Sequence, residues 1–275
     1  MPPMEPRAGH RSAGNLLLVV LVAAFLGCGR DPLPRVCPDL AYGALAISEI
    51  RGGQSGFDTG GQWIEFYNAS GGEAAVGGLD IRLALEDVTG VPVQEASIVV
   101  LDPDLAVQPG GYLVMGRFPE DDLPPHVDFG FESQFASSLY ESGCGSACES
   151  MLKDGGCPPA CRNACEAVCT SGNCPAACNA ASGLPECADC APLPCQDVCA
   201  EYETAVIEVS SCGVLVDRVE YFTLPGTGTW SFDGAAVPDA DANDDMGRWC
   251  VDDTADAVGG GAPGTPKERN RPCSR

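Results

Sequence analysis

Cysteine is the residue type in this chain whose number and spacing point most directly to chemistry. The 275 residues include 17 cysteines, and 12 of these fall between residues 141 and 200. Their spacing repeats after 30 residues, with one position displaced by a single residue: Cys144, Cys148, Cys157, Cys161, Cys165 and Cys169, then Cys174, Cys178, Cys187, Cys190, Cys195 and Cys199. Each unit holds an even number of thiols, which predicts two tandem repeats closed by internal disulfides.

A metal–thiolate cluster is the alternative chemistry for this segment, because thiolates bind zinc and copper. Only Cys187 and Cys190 have the two-residue gap typical of zinc ribbons, and the segment contains no histidine. The other five of the six adjacent pairs have three-residue gaps, which place both sulfurs on one face of a helix. The segment also lacks Phe, Trp and Tyr, so a stable fold requires covalent links. We therefore predict short helices joined by disulfides, with the connectivity left open.

The first 27 residues have the organisation of an export signal. Two arginines precede an apolar run of about a dozen residues, which is shorter than the roughly 20 residues needed to span a bilayer. The run ends at Leu26-Gly27-Cys28 and resembles the bacterial lipobox, in which the cysteine is lipidated and becomes the mature N-terminus. Phe25 departs from the leucine usual at its position, and an ordinary secretory signal with Cys28 as a spare thiol is the alternative. The lipobox predicts a lipid anchor at Cys28, and Gly29 in place of aspartate favours the outer membrane.

Four cysteines lie outside both the signal and the repeats: Cys37, Cys212, Cys250 and Cys273. An exported chain meets an oxidising compartment, so we predict that these four form disulfides. Their number allows three pairings. Position alone favours Cys37 with Cys273, which would join the two ends of a domain, and Cys212 with Cys250, which would tie a hairpin turn to a long loop.

The net charge excludes one class of partner. The chain from Cys28 onward carries 13 basic and 38 acidic residues, a formal charge of −25. Such a surface repels phosphate backbones, whose binding depends on Lys and Arg. Nucleic acid is therefore not an expected partner, and the acidity is expected to keep a tethered protein soluble.

One acidic loop has oxygen ligands at a density that suits calcium. The candidate ligands are Asp239, Asp241, Asn243, Asp244 and Asp245. Their spacing resembles the first half of an EF-hand loop, but Asp244 replaces the turn glycine and Cys250 replaces the bidentate glutamate, so the loop is not an EF-hand. A solvated acidic loop without a metal is the alternative. No other cofactor is predicted.

The sequence contains no recognisable catalytic constellation. The chain after the signal has a single histidine, His126, and no Gly-x-Ser-x-Gly pattern surrounds a candidate nucleophile. Gly259-Gly260-Gly261 lacks the Lys-Ser/Thr of a phosphate-binding loop. We therefore predict a protein that is not an enzyme and a histidine whose role is structural.

Short apolar runs between glycine and proline clusters predict β-strands on both sides of the cysteine-rich segment. The runs before it are residues 45–50, 62–68, 79–83, 96–101 and 112–115. After it, residues 205–209 and 214–221 flank Ser211-Cys212-Gly213, which predicts a hairpin. Turn signals about every 8 to 15 residues are typical of an antiparallel β-sandwich.

Several of these pieces together resemble the lamin tail domain. They are Ile47-Ser48-Glu49, Trp63 to Asn68, Val76 to Leu79, Pro109 to Val114, Gly213 to Val219, and Gly264-Thr265-Pro266 with Asn270. The resemblance implies an all-β, immunoglobulin-like sandwich, as in nuclear lamins and in exported bacterial proteins, where the domain accompanies secreted nucleases or phosphoesterases. The family has no catalytic residues, so Trp63, Glu65 and Asn68 are expected to be structural. We expect Trp63 in the core between the sheets, and Glu65 either facing solvent or bonded to a neighbouring loop.

The sequence thus predicts four segments: a lipoprotein signal (1–27), an anchored linker (28–41), a lamin-tail-like sandwich (42–140 and 201–271) and a cysteine-rich, partly helical insertion (141–200). The predicted function is non-enzymatic. A lipid-anchored module of the bacterial cell envelope would present the insertion to another envelope protein or a glycan, since binding is usually placed on loops of a rigid scaffold. The alternatives are a purely structural envelope component and an accessory domain to a separate secreted hydrolase.

Overall fold

A computed structural model describes residues 36–55, 58, 60–142, 203–255 and 261–274. These residues belong to one compact unit, Val36–Arg275. The predicted signal, the lipidation site Cys28 and almost all of the cysteine-rich insertion lie outside the described residues. Among the residues described, no helix is long and apolar enough to cross a membrane.

The described part of the chain is all-β and contains no α-helix. Its strands are β1 (Leu45–Arg51), β2 (Trp63–Asn68), β3 (Ala74–Ala75), β4 (Asp80–Glu86), β5 (Pro92–Val99), β6 (Ala106–Val107), β7 (Tyr112–Gly116), β8 (Phe129–Gly130), β9 (Thr204–Ser211), β10 (Val214–Tyr221), β11 (Thr229–Phe232) and β12 (Trp249–Asp252). One turn of 3₁₀ helix, Met246–Arg248, precedes β12. The prediction of a β-rich fold is confirmed.

Three sheets make up the fold. The largest has six strands in the order β12-β11-β1-β2-β7-β8, and the second has four in the order β10-β9-β4-β5. The third consists of β3 and β6 alone. All neighbouring strands are antiparallel except β7 and β8.

The predicted hairpin is confirmed as β9 and β10. Val214 pairs with Ser211 and Tyr221 pairs with Ala205, so the loop has only two residues, Cys212 and Gly213. Both have positive φ, 47° and 86°. Two-residue loops with this backbone match the right-handed twist of the strands that they join. Glycine is favoured at the second position because it adopts a positive φ without steric cost.

The six-stranded and four-stranded sheets share one hydrophobic core. Alternate residues of each strand face it, including Ile64 and Phe66 of β2 and Leu83 of β4. The opposite face of the six-stranded sheet is also covered. There Trp63 packs with Val114, Val127 and Ala262 in a separate cluster. The expectation that Trp63 lies between the sheets is therefore wrong: alternation along β2 turns it to the other face, under the C-terminal segment.

The outer face of the four-stranded sheet carries an ionic network. Arg82 of β4 and Arg218 of β10 lie within 4 Å of four glutamates, namely Glu86, Glu95, Glu208 and Glu220. Beneath these long side chains lie Ala84 and Val206, both buried. Small residues at these two positions leave room for the charged side chains to lie across the sheet, so that their aliphatic stems cover apolar surface.

The two disulfides of the described chain do not follow the expected pairing. Cys37 is bonded to Cys212 and Cys250 to Cys273. The chain entering the body runs beside β10, since Gly43 N–H donates to the Val216 carbonyl, and this brings Cys37 to the hairpin turn. The C-terminal chain ends against the β11–β12 region, where Cys273 N–H donates to Asp233. The N-terminal and C-terminal ends of the domain are therefore not bonded to each other, and each forms its disulfide with a cysteine elsewhere in the body.

Candidate functional site

The insertion leaves and re-enters the body at one place. Before it, Ser142 N–H donates to the Phe222 carbonyl at 2.6 Å, and Glu141 accepts from Leu224 N–H at 2.8 Å. After it, β9 begins at Thr204, and Ala205 pairs with Tyr221, the residue before Phe222. Both ends of the insertion are thus held at the same end of β10. We call this region, defined by Ser142, Thr204 and Phe222, the insertion end.

A pocket of about 320 Å³ adjoins the insertion end. Its lining is Thr204, Arg218, Glu220, Tyr221, Phe222, Asp244 and Met246. Burial raises the pKa of Tyr221, and the nearby Glu141 adds to the effect. Burial also raises the pKa of Asp244, with Glu220 contributing repulsion. The pocket lies beside the start of β9, and its charged lining consists of Arg218, Glu220 and Asp244.

The predicted linker joins the opposite end of the same hairpin. The Cys37–Cys212 bond fixes it to the β9–β10 turn, and Ser211 Oγ donates to the Pro38 carbonyl nearby. We call this region, defined by Cys37, Cys212 and Gly213, the linker end. Strand β9 has 8 residues between the two ends, which is about 23 Å at the usual rise of a strand.

The candidate calcium ligands do not converge on a common point. Asp239 accepts backbone N–H groups of its own turn, Asp241 accepts from the Tyr42 hydroxyl, and Asp245 caps the 3₁₀ helix through Gly247 N–H. Asp244 lines the pocket at the insertion end. In the part of the chain that the structure describes, no three His, Cys, Asp or Glu side chains form a group suited to a metal ion.

Asn243, the remaining candidate ligand, is a buried structural residue. Its side-chain nitrogen donates to Asp217 at 2.8 Å and to the Ile47 carbonyl at 3.0 Å, and its backbone carbonyl accepts from the Trp249 indole. Ile47 N–H also donates to Asp217. Burial raises the pKa of Asp217 to about 7, against these hydrogen bonds. The acidic loop is thereby fixed to β1 and β10.

His126 packs in the cluster around Trp63, with ring centroids 5.1 Å apart. Only 2% of its surface is exposed, and burial lowers its pKa, although a hydrogen bond with the Gly60 backbone opposes the shift. Its Nε2 contacts no hydrogen-bond partner among the described residues. A buried histidine that packs edge-on against Trp63 and Phe118 has the surroundings of a packing residue.

Two buried glutamates form the most distinctive polar cluster of the body. Glu49 of β1 and Glu65 of β2 stand directly opposite each other, and neither is exposed to solvent. Thr265 donates to Glu49 from its N–H at 3.1 Å and lies 3.0 Å away through its hydroxyl. Glu65 accepts from Lys267 N–H at 2.7 Å and from the Ser48 hydroxyl at 2.8 Å. The C-terminal segment is thus bonded to both carboxyl groups.

Asn270 completes this C-terminal clamp, which we define as Glu49, Glu65, Thr265, Lys267 and Asn270. Its amide donates to the Ser48 carbonyl at 2.7 Å and the Phe232 carbonyl at 2.9 Å, while its oxygen lies 3.0 Å from the Thr265 hydroxyl. The second option expected for Glu65, a bond to a neighbouring loop, is the one observed. Asn68 is also structural, since it organises the turn after β2 through Gly72 and Ser70.

Burial dominates the electrostatics of the clamp. It raises the pKa of Glu49 to about 7, although hydrogen bonds from Thr265 act in the opposite direction. Burial and the charge of Glu49 raise the pKa of Glu65 well above its usual value. The geometry accommodates a proton on Glu49: the acid could donate to the Thr265 hydroxyl, which would then donate to Asn270. The single Thr265 hydroxyl hydrogen cannot serve both acceptors at once.

Comparison of the chain with protein-family models, with curated proteins and with solved structures finds no match in any of the three. The resemblance to the lamin tail domain therefore stays a prediction from the residues themselves. Three of its six quoted motifs meet in space, because Ser48-Glu49, Glu65 and the Thr265 to Asn270 stretch build the clamp.

Proposed function

We propose that this chain is a non-enzymatic, lipid-anchored protein of the bacterial cell envelope that presents the insertion 141–200 to a protein or glycan partner. In this proposal Cys28 carries the lipid at the outer membrane, and the body is an immunoglobulin-like sandwich of the lamin tail type. The body serves as a rigid spacer between the membrane and the insertion.

One observation carries the proposal: the linker and the insertion attach at opposite ends of the β9–β10 hairpin. Cys37 is bonded to the turn of that hairpin, whereas Ser142 and Thr204 lie at its other end. A lipid at Cys28 would hold the linker end near the bilayer, and the hairpin would then place the insertion end about 23 Å farther out. A binding segment attached on the side of the body that faces away from the membrane is favourably placed to contact other proteins or glycans.

The surroundings of the insertion end agree with a role in recognition. The β4–β5 hairpin ends there, because Glu86 pairs with Thr204. Just beyond Glu86, Val88 is 62% exposed and Val91 is 55% exposed. Exposed aliphatic side chains gathered beside a segment that emerges from a rigid scaffold are typical of a contact surface.

Replacing residues 143–202 with a linker of about four Gly and Ser residues tests this function. The core and both described disulfides lie outside the deleted segment, so the variant is expected to fold with an unchanged β-sheet circular dichroism spectrum. We expect it to lose binding to solubilised envelope proteins and cell-wall glycans that the full chain retains. The matched control carries the same linker inserted between Gly71 and Gly72, in the exposed turn after β2.

The outcomes separate the candidate functions. Retention by the full chain and the control, with loss in the deletion variant, supports presentation of the insertion. Equal retention by all three proteins places recognition elsewhere on the body and contradicts the proposal. No retained material from any of them favours a purely structural envelope component.

A further inference from the structure

Four exposed aliphatic side chains surround the disulfide at the linker end. Val36, Val214 and Leu101 are 52%, 54% and 64% exposed, and Leu215 is 38% exposed. Val36 precedes Cys37, and Val214 and Leu215 follow the turn that contains Cys212. We call these four residues the apolar end patch.

Contacts around Gly78 bring Leu101 to the same place. Gly78 N–H donates to the Val100 carbonyl at 2.8 Å, and its backbone lies so close to Val36 that a Cβ would collide with the Val36 carbonyl. Its φ of +91° also favours glycine. Single exposed aliphatic residues are ordinary on protein surfaces. Four exposed aliphatic side chains gathered around one disulfide favour a contact surface.

We propose that the apolar end patch contacts the lipid surface. The inference rests on the proposed lipid anchor at Cys28. Eight residues lie between Cys28 and Cys37, and the nine steps from one cysteine to the other span at most about 30 Å. The patch surrounds the point at which this short segment is bonded to the body, so a lipid at Cys28 keeps it close to the headgroups.

Because the linker already holds the body at the membrane, a weak contact is enough to keep the apolar end patch on the lipid surface. A short linker holds the patch at a millimolar effective concentration near the bilayer, and shallow insertion of a few aliphatic side chains then adds binding free energy in proportion to the area buried. Asp39, Asp102 and Asp104 are exposed beside the patch. Their charges repel anionic lipids, which makes a zwitterionic surface the fitting partner and phosphatidylcholine the suitable probe.

Fluorescence quenching by brominated phosphatidylcholine tests the contact on the lipidated full chain in vesicles. Val214→Trp places an indole in the patch, and Val88→Trp places one at the insertion end as the matched control. The native Trp63, Trp230 and Trp249 are buried, so the unsubstituted protein supplies the background. We expect quenching above that background for Val214→Trp and none for Val88→Trp.

The inference and the proposed function fail in different ways. A chain that lacks lipid on Cys28 and does not sediment with vesicles contradicts the anchor itself. A chain that sediments but shows no quenching for Val214→Trp, or equal quenching for both variants, retains the anchor and overturns the lipid contact of the patch.

Discussion

Glu49 is expected to lower the free energy of unfolding by on the order of 3 kcal/mol as the pH rises from about 4.5 to about 7, because the C-terminal clamp prefers its protonated form. Glu49 is fully buried opposite Glu65, and ionising both would place two negative charges on adjacent strands. Lys267 ion-pairs with Asp128 at 2.8 Å, and Arg51 pairs with Asp58. The neighbouring cations are therefore already engaged.

The sign follows from the direction of the shift. Burial raises the folded-state pKa of Glu49 above its unfolded value of 4.5, so the folded protein binds more protons than the unfolded chain across this range. The stabilisation is complete below about pH 4.5 and is lost as the pH rises through about 7. Glu65 acts in the same direction, and the two groups titrate as a pair.

Glu49→Gln is expected to remove this contribution, while Asp217, whose pKa burial also raises to about 7, keeps its own pH dependence in the same range. A glutamine amide takes the place of the protonated acid, because its nitrogen could donate to the Thr265 hydroxyl while its oxygen accepts from the Trp63 indole and the Thr265 N–H. Urea unfolding at pH 4.5 and pH 8 provides the measurement. Glu268→Gln, the same change at an exposed position of the C-terminal segment, is the control. If the free energy of unfolding changed equally with pH in the two variants, Glu49 would not be the group that binds the extra proton in the folded state.

Removing the Cys37–Cys212 bond by the double substitution Cys37→Ser and Cys212→Ser is expected to lower the free energy of unfolding by about 5 kcal/mol. The bond joins residues 175 apart in the sequence. Releasing so long a loop restores a large conformational entropy to the unfolded chain. The β9–β10 turn would also lose its covalent link to the linker.

The other disulfide provides the internal comparison. Cys250 and Cys273 are only 23 residues apart, so Cys250→Ser with Cys273→Ser should cost less, about 3 kcal/mol. Denaturant unfolding of both double variants without reductant gives the two values. A larger loss for the shorter loop would contradict the entropic account of the Cys37–Cys212 bond.

The local elements of the fold could be predicted because their signals are local. Glycine and proline clusters mark the turns between strands, and Cys212-Gly213 marks a two-residue hairpin loop whose backbone requires positive φ. The layer occupied by Trp63 could not be predicted this way. Alternation distinguishes the two faces of β2, but both faces are buried here, so it does not tell which face meets the other sheet.

The polar clusters escaped prediction for a different reason. Glutamate is rarely buried, and the partners of Glu49 and Glu65 lie 216 and 202 residues away in the sequence. Asn243 has the sequence surroundings of a metal ligand, yet its bonds to Asp217 and Ile47 arise only once β1 and β10 are in place. The pairing of Cys37, Cys212, Cys250 and Cys273 could not be predicted either, because no nearby residue indicates which two cysteines meet in the fold. The best available signal for the clamp was the lamin-tail-like set of motifs taken together.

Intact mass spectrometry of the native mature protein tests the central claim, an anchored and fully oxidised envelope module, most directly. The account predicts a chain that begins at Cys28 and carries a diacylglyceryl group. It also predicts no alkylation before reduction and alkylation of the 16 other cysteines after it. A mature N-terminus without lipid, several thiols that react before reduction, or bound metal would contradict it.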